Sequence, residues 1–262
     1  MLKTRIISAI IGITLILLII YAGGLYWQGL VLLLALVGYY EYLHMIKGEI
    51  GFPLVAAGYL LLLAVLLPDY LGAWFYPVVL AALLLLIIRA VFGYPRIKTA
   101  DVALVFMGAF FLGFMLNFAL RLGDLEQGSL AVLLAFLLTW ASDTGGYFGG
   151  RFWGKNKLAP LLSPNKTREG ALGCIVLTVI TAVVFFIITD METASGAYLV
   201  LLGILASIMA QLGDLFISSI KRNFKVKDTG WIIPGHGGVL DRFDSFLLVV
   251  PLVYYFWMIF IV

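Results

Sequence analysis

Residues 166–192 read KTREGALGCIVLTVITAVVFFIITDME: twenty uncharged, mostly apolar residues from Gly170 to Thr189, with cations before them and acids after. About 20 such residues are what an α-helix needs to cross the hydrocarbon core of a bilayer. Similar runs recur near 6–22, 28–46, 53–67, 75–92, 102–121, 128–149, 170–189, 196–217 and 244–262. They predict an all-α, polytopic integral membrane protein of about nine transmembrane helices. The third run is the shortest and starts at Pro53, so eight crossings are the alternative.

Composition agrees. Of the 262 residues 63% are hydrophobic and 12% charged, and the mean hydropathy is +1.11, far from soluble norms. The opening MLKTRIISAIIGITLILLIIYAGG places two cations before an apolar run, as a secretory signal does. It reads instead as a retained first span, because similar runs follow it and no soluble domain does. The single cysteine, Cys174, lies inside a span and excludes a disulfide framework within one chain. No internal repeat is visible, so residues 1–262 are expected to form one membrane domain.

The charges orient it. With nine spans, Lys3, Arg5, Lys47, Arg96, Lys98, Arg151, Lys155, Lys157, Lys166, Arg168, Lys221, Arg222, Lys225, Lys227 and Arg242 fall on one side, fifteen of the 17 cations. Asp69, Asp124, Glu126, Asp190 and Glu192 fall on the other, with Arg121. Cationic loops stay inside, so the amino terminus is expected in the cytoplasm and the carboxyl terminus outside. Two cytoplasmic connections, 150–169 and 218–243, are long, basic and rich in Gly and Pro, and are the expected active-site loops.

Acids within spans point the same way. An ionised Asp at the centre of a lipid-exposed helix costs roughly 2.5–3.5 kcal/mol, so Asp143 and Asp214 are expected to face protein, water or an ion. Ser207, Gln211, Asp214 and Ser218 recur at intervals of 4, 3 and 4 and share one helical face. Gly145, Gly146, Gly149 and Gly150 form two overlapping GxxxG spacings, which let helix backbones approach closely. Glu41 and His44, near the end of the second span, read as an interfacial pair, or as a proton relay if the protein is a transporter.

In the first loop GGRFWGKN comes one residue short of a phosphate-binding P-loop, since Asn156 stands where Ser or Thr should ligate magnesium. Its backbone and cations still suit an anion, and Ser163, Asn165, Lys166 and Arg168 follow as donors and cations. In the second loop Lys221, Arg222, Lys225 and Lys227 supply positive charge and glycines flank His236. Asp241 and Asp244, three apart at the start of the last helix, face alike and can share Mg²⁺, with Asp214 as a third ligand. His236 can act as an acid–base group, contact phosphate or stabilise its turn. Acids that gather metal beside cations that gather phosphate describe phosphoryl or nucleotidyl transfer.

The run SSIKRNFKVKDTGWIIPGHGGVLDRFD, residues 218–244, resembles the full signature of the phosphatidate cytidylyltransferases, S-x-x-K-R, four residues, K-D, then P-x-H-G-G and D-R-x-D. The earlier SDTGGYFGGRFWGKNKLAPLLSPNKTREG resembles that family's other block and carries Asp143, Lys166 and Glu169. The resemblance implies that the phosphate of phosphatidic acid attacks the α-phosphorus of CTP, giving CDP-diacylglycerol and pyrophosphate. It implies Asp214, Asp241, Asp244, Lys221 and Arg222 as the catalytic set. Mg²⁺ on Asp214, Asp241 and Asp244 is then the cofactor, with Asp143 ordering it or completing a second cation site. Ser163, Asn165, Lys166, Arg168, Lys227, His236 and Arg242 are left to bind substrate, together with Asp143. The expected partners are CTP, phosphatidic acid and the lipid bilayer, with no nucleic acid, and a homodimer is compatible with a membrane enzyme of this size. The expected location is the inner membrane, with the active site facing the cytoplasm. A CDP-alcohol phosphotransferase is disfavoured, because DGxxAR followed by GxxxDxxxD is absent. The alternative from another class is a cation-coupled transporter with its ion on Asp143 and Asp214.

Overall fold

The computed structural model of the chain describes residues 2–46, 51–190 and 196–261, with side chains from Ile6 onward. Lys47, Glu192 and the side chains of Lys3 and Arg5, which enter the charge count above, lie outside them. The helices are α1 (Leu2–Ala22), α2 (Gly24–Ile46), α3 (Phe52–Leu66), a one-turn α4 (Pro68–Leu71), α5 (Phe75–Gly93), α6 (Thr99–Asp124), α7 (Gly128–Trp153), α8 (Arg168–Thr189), α9 (Gly196–Asn223) and α10 (Leu240–Phe260). A 3₁₀ turn, Gly72–Trp74, joins α4 to α5.

The protein is an all-α polytopic membrane protein, as its hydropathy predicts. Each of the nine apolar runs is helical. Seven described helices are long and apolar enough to cross a membrane, counting Pro68–Gly93 as one, and Ile6–Ala22 and Phe52–Leu66 are shorter. Two boundaries shift. The helix α9 runs on to Asn223, which puts Lys221 and Arg222 in its last turn, where cations suit the carbonyl end of the helix dipole. The first loop contracts around a hairpin of β1 (Lys157–Ala159) and β2 (Ser163–Thr167), with Lys157 opposite Thr167 and Ala159 opposite Ser163. Thr167 then caps α8, its Oγ1 accepting from the Gly170 amide at 3.1 Å.

Apolar burial alone does little between helices in lipid, so close packing and buried polar contacts must hold them together. Both are present. The Trp27 indole donates to the Ala119 carbonyl at 2.8 Å and Tyr39 Oη to Val105 O at 3.0 Å, fixing α2 on α6. Asn117 Nδ2 donates to Leu66 O at 2.9 Å, fixing α3 on α6. Thr178 Oγ1 donates to Gly203 O at 2.8 Å, joining α8 to α9.

The predicted glycine contact is real and lies between α7 and α8. A side chain at Gly145 would collide with the Gly173 backbone, one at Gly149 with Glu169 and Gly173, and one at Gly146 with Cys174. Gly213 plays the same part between α9 and α10, against the backbone of Asp244. Gly145→Val is expected to destabilise by about 1–3 kcal/mol, the usual cost of overpacking. It should lower the thermal midpoint in detergent, whereas Gly12→Val, with nothing within 4 Å, should not.

Candidate active site

A cavity of about 560 Å³ opens between α7, β2, α8, α9 and α10, with Asp143, Asn165, Lys166, Gln211, Asp214 and Ser245 in its wall. The polar stripe of α9 leads into it. Gln211 Nε2 donates to Ser207 Oγ at 3.1 Å, and Ser218 Oγ donates to Asp214 Oδ1 at 3.1 Å. The other oxygen of Asp214 pairs with Lys166 Nζ at 2.6 Å, so β2 delivers a cation directly onto the α9 acid.

Asp244 is 8% exposed and accepts from the Ser245 amide at 2.7 Å. The glycine crossing at Gly213 brings it beside Asp214. Asp143, Asp214 and Asp244, on three helices, are all close enough to repel one another electrostatically. Lys166 and Arg242 act against that repulsion at Asp143, and Lys221 does so at Asp244.

Asp241 points elsewhere. Its Oδ1 pairs with Lys221 Nζ at 2.6 Å, and its Oδ2 accepts from Thr229 N at 2.7 Å, Thr229 Oγ1 at 3.0 Å and Gly238 N at 3.0 Å. Residues three apart on a helix are offset by about 60°, enough for one to meet the loop and the other to lie on the α9 side. The acids that influence one another electrostatically are therefore Asp143, Asp214 and Asp244, while Asp241 and Lys221 brace the loop.

The remaining residues singled out in the sequence are spread around this centre. Arg222 Nε donates to Leu162 O at 3.2 Å and its Nη1 to Val226 O at 3.3 Å, which ties the hairpin turn to the second loop. Arg242 Nε donates to the His236 carbonyl at 3.1 Å. His236 Nδ1 lies 2.9 Å from Ser8 Oγ, which also donates to Pro234 O at 3.2 Å, so this loop docks on α1. Arg168 and Lys227 are exposed, and Ser163 is half-buried on β2 outside the cavity wall. Glu169 accepts from the amides of Lys155 and Asn156 and from Asn156 Nδ2 at 2.8 Å, holding the start of the hairpin on α8.

Glu41 is the residue whose part the sequence conceals. It is 2% exposed, and it accepts from Val239 N at 2.9 Å and Leu240 N at 2.8 Å, with Thr229 Oγ1, whose one proton also faces Asp241, 3.2 Å away. A carboxylate from α2 thus caps α10 from outside, where the first N–H groups of a helix lack partners. Gly230 and Gly238 leave room for it. His44 is not its partner and packs against Tyr40 and Trp231.

Carboxylates and hydroxyls are the hard oxygen donors that Mg²⁺ prefers, and Mg²⁺ usually keeps waters and takes substrate phosphates beside one or two protein ligands. Among the described residues no three His, Cys, Asp or Glu side chains form a ready-made metal cage. Asp143 and Asp214 in the cavity wall have the donor chemistry for such a shared site, and not for one built from protein ligands alone.

The sequence profile of the Cytidylyltransferase family matches residues 3–260. The phosphatidate cytidylyltransferase of Staphylococcus haemolyticus is 38% identical over 257 aligned residues, covering 95% of this chain and 96% of that one. That of Staphylococcus aureus is 37% identical over 262, covering 95% and 96%. That of Bacillus subtilis is 34% identical over 260, covering 97% and 96%. With nearly its whole length matched both to the profile and to these relatives, the chain belongs to the cytidylyltransferase family.

Proposed function

We propose that this protein is a nucleotidyltransferase that joins CTP and phosphatidic acid into CDP-diacylglycerol, releasing pyrophosphate. The observation that carries the reading is the Lys166–Asp214 pair in a cavity shared with Asp143 and beside Asp244. A cation of this kind suits phosphate, and acids beside it suit a metal, where membrane helices meet basic loops. The activity for which the relatives are named matches that chemistry, and nothing in it favours the ion-coupled transporter.

An oxygen of the phosphatidic acid phosphate attacks the α-phosphorus of CTP, and the bond from that phosphorus to the bridging oxygen of the β-phosphate breaks. The attacking oxygen already carries charge, so neutralisation and alignment of two anions form the main barrier. Lys166 is placed to exchange Asp214 for a substrate phosphate, and Arg242 adds positive charge near Asp143. Mg²⁺ held by Asp143, Asp214 and Asp244 would supply further neutralisation of the phosphates. Asp241 acts at one remove, fixing Lys221 and the Thr229–Gly238 loop. The fifteen cations counted on one side support nine crossings, an internal amino terminus and a site facing the cytoplasm from the inner membrane.

Purified protein given labelled CTP, phosphatidic acid and Mg²⁺ should form CDP-diacylglycerol, and EDTA should stop it. Asp214→Asn and Lys166→Gln should each lower kcat/KM by about 100-fold, the scale for losing one charge-stabilising group. Ion-driven flux in liposomes with no lipid product would overturn the proposal. Glu41→Gln tests the cap on α10. We expect kcat to fall roughly tenfold or more through misplacement of the Asp241–Asp244 turn, with KM for CTP little changed. A loss confined to KM would place Glu41 in binding instead.

A further inference from the structure

Away from the central cavity, at the corner between α5 and α6, lies a second cavity of about 410 Å³ bordered by Gly51, Arg89, Phe92, Tyr94, Arg96 and Ile97. Arg89 stands one turn before the end of α5. Its Nε is the single buried side-chain nitrogen or oxygen among the described residues without a hydrogen-bond partner. A guanidinium has five N–H donors and no acceptor, and a buried, unbonded donor on a cation is suited to an anionic neighbour. The described cavity wall supplies none, since its other charged member is Arg96. Gly51 leaves space beside the guanidinium, whose Nη2 would lie 3.7 Å from a Cβ there.

We infer that this corner binds the phosphate of an anionic phospholipid headgroup between Arg89 and Arg96, at a site distinct from the catalytic cavity. Arginine forks match phosphate oxygens in pairs, and two arginines around one concavity suit a single phosphate. The surroundings favour a lipid source over free phosphate. Only Ala82 and Leu86 of α5 are buried, so most of that helix offers an apolar face to lipid. Phe92 and Tyr94 are 81% and 77% exposed on the cavity rim, aromatic residues of the kind that settle at headgroup level. The site also sees the leaflet that the catalytic cavity sees. The connections 94–98 and 125–127 are short, so the end of α5, the start of α6 and the end of α7 lie on one membrane face. This inference goes beyond the proposed reaction and does not depend on it.

The test counts bound lipid by native mass spectrometry of the intact protein, released from detergent after incubation with equal phosphatidylglycerol and phosphatidylcholine. Phosphatidylglycerol is anionic and is not a substrate of the proposed reaction. The Arg89→Gln/Arg96→Gln protein should hold about tenfold less phosphatidylglycerol than the unaltered chain, with phosphatidylcholine unchanged. Lys166→Gln, which alters the central cavity alone, should retain it. Inorganic phosphate separates the sources. If it binds without lipid in an Arg89-dependent way and displaces phosphatidylglycerol, the anion site stands with a soluble occupant. Should the double variant fail to stay monodisperse, Arg96→Gln alone, at an exposed position, decides. Equal phosphatidylglycerol on that variant and on the unaltered protein overturns the inference, as does equal retention by a well-folded double variant.

Discussion

Charge that cannot be left alone in a low-dielectric medium organises this molecule. An isolated acid in the apolar part of a helix is costly, so each must find a counter-charge or donors. Asp241 and Glu41 are answered fully. Asp241 has Lys221 and the amides of Thr229 and Gly238, and Glu41 has two α10 amides. Asp143, Asp214 and Asp244 are answered only in part, since Lys166 serves both Asp214 and Asp143, with Arg242 acting at Asp143 and Lys221 at Asp244. The difference separates scaffold from chemistry. The satisfied acids hold loops in place, while the trio keeps negative charge that the fold itself does not neutralise.

Glycine decides where that crowding occurs. Side chains would keep α7 from α8 at Gly145 and Gly149, and α9 from α10 at Gly213. Both close approaches lie beside the cavity, so the backbones that carry Asp143, Asp214 and Asp244 are locked around it. A Cβ at Gly213 would push against the peptide of Asp244 itself. Packing and electrostatics are thus set by the same few residues.

Much of this was legible from residue order. The run 170–189 lies within α8, and the stripe from Ser207 to Ser218 forms one face because side-chain spacing survives into the helix. Hydropathy ends where lipid ends, however, and α9 continues for another polar turn in which Lys221 and Arg222 sit. The hairpin was hidden because strands of three and five residues with two prolines nearby give little alternation to read. The part played by Glu41 was hidden for a deeper reason. Its principal partners are main-chain amides, identical at every residue, and only the fold says which ones fall within reach. The parting of Asp241 from Asp244 is similar, since the captors of Asp241 include backbone N–H groups of the loop.

The Glu41 cap also bears on biosynthesis. Its partners Val239 and Leu240 lie 198 and 199 residues further along the chain. On a ribosome working from amino to carboxyl end, α2 has emerged long before those amides exist, and water or the headgroup region must serve the carboxylate meanwhile. The final helix then exchanges that hydration for two N–H groups as it docks. Assembly of the acid centre is thereby tied to completion of translation through α10, and a nascent chain stalled in the second loop has bound its cations to the membrane face without gaining the ability to act.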